Sequence, residues 1–237
     1  MSTQSNIIVA LDFDSASQAL AFVDKVNPTR CRLKVGNILF TRYGSAFVKE
    51  LQARGFEVFL DLKFHDIPNT VAKACEAAAD LGVWMLNVHS LGGAKMLKAA
   101  SAALADRPRR PMVIGVTILT HLTRQELPDI GLQDSMQEAV KRLVLLTHQC
   151  GLDGVVCSPE EATWIRGWVP KAFCLVTPGI RPEKAGIKAD DQSRVATPRE
   201  ALAAGSDYLV IGRPITEAKD PEAALSEIEQ ELGGQLE

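Results

Sequence analysis

"EVFLDLKFHDIPNTVAKACEAAADLGVWMLNV", residues 57–88, holds one strand–helix–strand unit. It opens on a β-branched, leucine and aromatic run of the kind that fills a buried strand. An Ala-rich segment with helical spacing follows and ends at Gly82, a residue suited to a helix C-cap. A second apolar run, "WMLNV", then returns. Strands joined through a crossover helix pair in parallel.

The same alternation runs through the chain. "IIVAL", "CRLKV", "EVFLDL", "WMLNV", "MVIGVTI", "GVVC", "FCLVT" and "YLVIG" read as eight strands, with helical stretches such as "SQALAFVDKV" and "AVKRLVLLTHQCG" between them. "ATPREALAAG" carries its own boundaries: Thr197 as N-cap, Pro198 at the first helical position, Glu200 completing a capping box and Gly205 closing the helix. Eight β/α units of roughly thirty residues each, with no Gly-rich dinucleotide fingerprint after the first strand, predict an α/β fold of the closed (β/α)8 TIM-barrel type. The barrel spans residues 1–237 as a single domain. A flavodoxin-like open sheet would use about five or six of these strands.

Composition narrows the chemistry. The 237 residues are 46% hydrophobic and 23% charged, enough for a full core. A formal net charge of -3 gives no basic excess for a nucleic-acid backbone, and the acidic residues are scattered. Cys31, Cys75, Cys150, Cys157 and Cys174 form no C-x-x-C pair and no zinc spacing, so they read as reduced thiols. The first residues make a poor signal peptide and no apolar stretch approaches the roughly 20 residues of a membrane span. A cytoplasmic protein with a small-molecule substrate is expected, without nucleic acid or membrane as partner.

In a barrel of parallel strands the site lies at the carboxyl ends. There the sequence sets Asp12, Lys34, Asp61 with Lys63, His89, Thr117, and Gly212 with Arg213. Strand alternation sends Asp61 and Lys63 to one face and Leu60 and Leu62 to the other. With the leucines against the helices, the charges face the barrel mouth, and Lys34 and Asp12 join them from neighbouring strands. Each lysine beside a carboxylate stays protonated, and each aspartate beside a lysine stays ionised.

"DLKFHDIPNTV" resembles the signature of the orotidine 5'-phosphate decarboxylase family. "ALDF", "LKVG", "VTILT", "VTPGIRP", "DDQSRVATP" and "YLVIGRPI" are similar to the family's other blocks, in order, from about Ile7 to Ile215. A bare D-x-K-x-x-D is also shared by related sugar-phosphate decarboxylases and synthases, whereas the longer block together with the phosphate blocks is specific.

The resemblance implies decarboxylation of orotidine 5'-phosphate to uridine 5'-phosphate, the last step of pyrimidine nucleotide synthesis, with no metal and no organic cofactor. It implies Lys63 as proton donor to C6 of the ring, within an array of Lys34, Asp61, Lys63 and Asp66. It also implies a homodimer with shared active sites, Asp66, Ile67 and Thr70 completing the neighbour's site. Asp12 and Lys34 are placed to hold the ribose hydroxyls. Gly212, Arg213, Arg181 and Gln192 are expected around the 5'-phosphate, in a fold that commonly binds phosphate with its last two loops. The loop carrying Gly179 and Gly186 reads as a lid. Thr120 matches the hydroxyl that touches the ring, and Pro178 and Ser158 are expected to line the pocket.

Other residues read more plainly. A lone histidine at a strand end, His89, is expected behind the site, His65 turns away from Lys63, Asn37 begins a helix, and Trp84, Trp164 and Trp168 pack. Two alternatives remain: a metal-dependent keto-sugar-phosphate decarboxylase or synthase, which needs carboxylates for magnesium near Asp61, and a catalytically silent nucleotide-binding barrel.

Overall fold

Strands β1 (Ile7–Ala10), β2 (Arg32–Gly36), β3 (Val58–Phe64), β4 (Met85–His89), β5 (Met112–Val116), β6 (Gly154–Val156), β7 (Cys174–Thr177) and β8 (Tyr208–Ile211) match the eight apolar runs. The computed structural model describes residues 5–183 and 195–233. Every strand pairs in parallel with its sequence neighbours and β8 returns to β1, so the sheet closes as a barrel. Among the described residues the α-helices are α1 (Ala16–Val23), α2 (Asn37–Ala53), α3 (Pro68–Asp80), α4 (Gly93–Ala102), α5 (Met136–Gln149), α6 (Pro159–Ile165), α7 (Pro198–Ala203), α8 (Arg213–Thr216) and α9 (Pro221–Glu231).

Capping follows the sequence signals. Thr197 and Glu200 form the capping box of α7, with Pro198 in its first turn. Ser15 caps α1 by accepting from the Gln18 amide, which leaves Asp12 free of that duty. Ser158 and Glu161 form a second capping box at α6.

Alternation along the strands makes two cores. Ile8, Ala10, Phe59, Met85, Ile114, Cys174, Val176 and Val210 fill the barrel interior. Ile7, Val9, Leu33, Val35, Val58, Leu60, Leu86 and Val88 face the helices. Arg32 closes the amino end of the barrel: its guanidinium lies 4.1 Å from the Trp84 ring centroid and bonds Glu57 at 2.8 Å. Trp84 therefore packs, as expected.

The one irregular seam lies between β3 and β4. Leu60 pairs with Leu86 and the next pair is Phe64 with Val88, so Asp61, Leu62 and Lys63 stand opposite Asn87 alone. This bulge bends the strand. Lys63 takes a φ of 53°, the one positive value outside glycine among the described residues. Asp61 and Lys63 do meet, as alternation predicts, but through a bulge rather than a regular pleat. Such a backbone costs of order 1 kcal/mol and persists where the surroundings hold it.

Candidate active site

A cavity of about 830 Å³ opens at the carboxyl ends of the strands, within the usual range for a small-molecule site. Asp12 follows β1, Lys34 comes from β2, Asp61 and Lys63 from β3, Thr120 follows β5, Pro178 and Arg181 follow β7, and Gly212 and Arg213 follow β8. Val116, Val156, Val176 and Val210 form an apolar floor. Nine of the predicted site residues thus gather around one cavity: Asp12, Lys34, Asp61, Lys63, Thr120, Pro178, Arg181, Gly212 and Arg213.

The charged cluster is tight. Lys63 Nζ lies 2.6 Å from Asp61 Oδ1, and Lys34 Nζ lies 3.3 Å from Asp61 Oδ2 and 3.5 Å from Asp12 Oδ1. Asn87 Nδ2 donates to Asp61 Oδ1 at 2.7 Å, and Asn87 Oδ1 accepts from the Lys63 backbone N–H at 2.8 Å. Burial opposes charge on Lys34, yet Asp61 and Asp12 hold its ammonium above the ordinary lysine value. Burial likewise favours a neutral Asp61, but the ammonium groups of Lys34 and Lys63, with hydrogen bonds from Lys63 and Asn87, pull its carboxyl down to about 2.

A depressed carboxyl stabilises the fold above its unfolded value and loses that contribution as pH falls through the folded value. The stability difference between wild type and Asp61→Asn is therefore expected to be constant near neutrality and to narrow by about 1 kcal/mol between pH 6 and pH 3. Urea unfolding at a series of pH values reads it. A difference that ignores pH would show that Asp61 is not held ionised by its lysines.

Asp66, Ile67 and Thr70 are exposed and stand outside the cavity of their own chain. Asp66 Oδ1 accepts from the Ile67 amide at 2.6 Å, and Ile67 precedes Pro68 at the start of α3. The chain brings Lys34, Asp61 and Lys63 into one array but not Asp66.

Beyond β8, the neighbour of β1, Arg213 opens α8. A Cβ placed on Gly212 would meet Ala10 Cβ at 3.6 Å and Asp12 Oδ2 at 3.8 Å, ordinary contacts. Protein packing does not require this glycine, which lines the cavity. Arg181 hydrogen-bonds the Ile180 carbonyl at 2.8 Å while lining the cavity. The feet of its loop are tied by Arg181 N–H to the Ala196 carbonyl, 2.9 Å. Gly179 has a φ of 79°. Gln192 and Gly186 lie outside the described residues.

Two expectations need correcting or refining. Ser158 does not line the cavity, because its buried hydroxyl accepts from the Glu161 amide at the start of α6. Thr117, at the end of the fifth apolar run, is buried and donates to the Val156 carbonyl at 3.4 Å. His89 stands behind the array, its ring 5.4 Å from that of exposed His65. Burial pushes the His89 imidazole below its ordinary value, aided by His65 and the Lys63 ammonium, so it is neutral at pH 7. His121 lines the cavity beside Thr120, and Asn87 holds two members of the array, though the sequence reading singled out neither. A polar residue inside the buried run "WMLNV" was the available signal for Asn87.

A sequence profile described as the orotidine 5'-phosphate decarboxylase / HUMPS family matches residues 5–228. Orotidine 5'-phosphate decarboxylase of Nitrosococcus oceani is 58% identical over 229 residues, 97% of this chain and 98% of the relative. The enzyme of that name from Chromobacterium violaceum is 57% identical over 230 residues, covering 97% and 92% of the two chains. The crystal structure of orotidine 5'-phosphate decarboxylase from Lactobacillus acidophilus superimposes with a TM-score of 0.85 at 37% identity, covering 96% of this chain and 98% of that one.

Proposed function

Because the chain belongs to the orotidine 5'-phosphate decarboxylase / HUMPS family, we propose that it removes carbon dioxide from C6 of orotidine 5'-phosphate and leaves uridine 5'-phosphate. The observation that carries the reading is the Lys34–Asp61–Lys63 cluster at the wall of a cavity that Arg213 also lines. It makes the chain a carboxy-lyase of pyrimidine nucleotide synthesis.

The C6–carboxylate bond breaks, carbon dioxide departs, and the electron pair of that bond stays on C6. The Lys63 ammonium, already charged and fixed beside Asp61, stabilises this pair and then gives C6 a proton. Asp61 holds its negative charge and keeps the Lys63 side chain aimed through their 2.6 Å contact. Its repulsion of the substrate carboxylate, relieved as carbon dioxide leaves, adds to the effect. Asp12 accepts from a ribose hydroxyl and Lys34 donates to one. Arg213 forks onto the 5'-phosphate, with Gly212 leaving room and Arg181 adding charge from its loop. Thr120 and Pro178 bound the ring. Gln192 and the lid rest on the family resemblance alone.

The site is completed in a homodimer. Asp66, Ile67 and Thr70 stay out of their own cavity, and Ile67 is 66% exposed. Ile38, Ile67 and Leu91, all exposed, follow the adjacent strands β2, β3 and β4 on one side of the mouth, an apolar edge that suits a second copy. Five free, buried thiols and the absence, among the described residues, of a helix long and apolar enough to cross a membrane support a cytoplasmic setting. The metal-dependent sugar-phosphate reading is less favoured because Asp61 is flanked by two ammonium groups, which repel a divalent cation.

The test is the loss of orotate-ring ultraviolet absorbance when the protein meets orotidine 5'-phosphate in excess chelator. Full loss at an undiminished rate is expected. No loss, or loss that the chelator abolishes, overturns the reading.

A further inference from the structure

We propose that Asn87 is a positioning residue for Lys63, fixing its backbone directly and its ammonium through the carboxylate of Asp61. Three residues of β3, Asp61, Leu62 and Lys63, face the single residue Asn87 of β4, so the regular strand pairing offers no carbonyl for the Lys63 amide. The Asn87 side chain takes its place: Oδ1 accepts from that N–H at 2.8 Å. The other end of the amide donates to Asp61 Oδ1 at 2.7 Å, the same oxygen that Lys63 Nζ meets at 2.6 Å.

Asn87 is 1% exposed and does not line the cavity, so it acts through these neighbours. Both its contacts point at the array. Only a side chain carrying an acceptor and a donor on one short fork satisfies both: leucine supplies neither, aspartate only the acceptor. Lys63 holds a left-handed φ of 53° while its ammonium meets Asp61 at 2.6 Å. Without Asn87 that backbone can relax towards an ordinary strand, and the ammonium leaves its position.

The inference rests on the decarboxylase reading, which the wild-type assay tests separately. Two variants separate the contacts. Asn87→Ala removes both, while Asn87→Asp keeps an acceptor for the Lys63 amide and replaces the donor by a second carboxylate beside Asp61. With an active wild type, Asn87→Ala is expected to lower kcat by about a hundredfold, since a small misplacement of a catalytic group has that effect, with KM changed by less than about threefold.

The double variant Asn87→Ala/Lys63→Ala is expected to turn over no more slowly than Lys63→Ala alone. Amide hydrogen exchange gives a readout that needs no substrate: the Lys63 amide should exchange slowly in wild type and Asn87→Asp and rapidly in Asn87→Ala. A wild-type kcat in Asn87→Ala overturns the proposal. So does an equal loss in the Lys63→Ala background, a KM rise as large as the kcat fall, or unchanged exchange at the Lys63 amide.

Discussion

Lys63→Ala is expected to lower kcat by at least about 10⁴-fold, because it removes both the proton donor and the charge aimed at C6, effects worth about 10²–10⁴ and 10²–10³ singly. Binding should survive. The phosphate and ribose contacts assigned to Arg213, Asp12 and Lys34 come from other strands, and Lys34 still neutralises Asp61 at 3.3 Å. Product affinity, measured by calorimetry with uridine 5'-phosphate, should therefore stay within about tenfold of wild type while absorbance loss ceases, the signature of an interaction made in the transition state. Lys63→Arg divides the two roles. A guanidinium keeps the positive charge but does not release a proton near neutral pH. Wild-type turnover by the arginine variant would end the proton-donor assignment, and wild-type turnover by the alanine variant would end both.

The barrel was legible in the sequence because its signal is local. Apolar runs of strand length alternate with helical stretches whose caps, such as Thr197, Pro198 and Glu200, are set within four residues. The charges at strand ends were legible for the same reason: polar side chains interrupt runs that otherwise stay apolar. What depended on register was not. The bulge over Asp61 to Lys63 arises only when β3 is laid against β4, and Asn87 acquires its meaning only from that offset. Ser158 was a misreading of an available signal, since "SPEE" is a capping box that occupies the hydroxyl at α6.

The same locality explains Asp66. The family resemblance set it in the array of a neighbouring copy, and in its own chain the strand ends at Phe64 and the turn into α3 carries Asp66 out of the cavity. Two readings of that geometry make opposite predictions. If Asp66 only opens the helix, Asp66→Ala should keep its turnover. If it completes the site of a second copy, where it would press an unbalanced negative charge against Lys63, Asp66→Ala should lose about a hundredfold or more in kcat, comparable with removing one preorganised electrostatic partner.

Mixing then discriminates sharing from simple damage. Chains carrying Asp66→Ala still supply Lys63, and chains carrying Lys63→Ala still supply Asp66, so each hybrid dimer holds one intact site and one doubly damaged site. Random reassortment makes about half of the dimers hybrid, and about a quarter of wild-type turnover should return from two nearly silent parents. Because neither parent can regain activity alone, recovery has to come from a site that takes Lys63 from one chain and Asp66 from the other. Absence of recovery after verified reassortment would return Asp66 to its own chain and leave the lysine cluster to work with Asp61 alone.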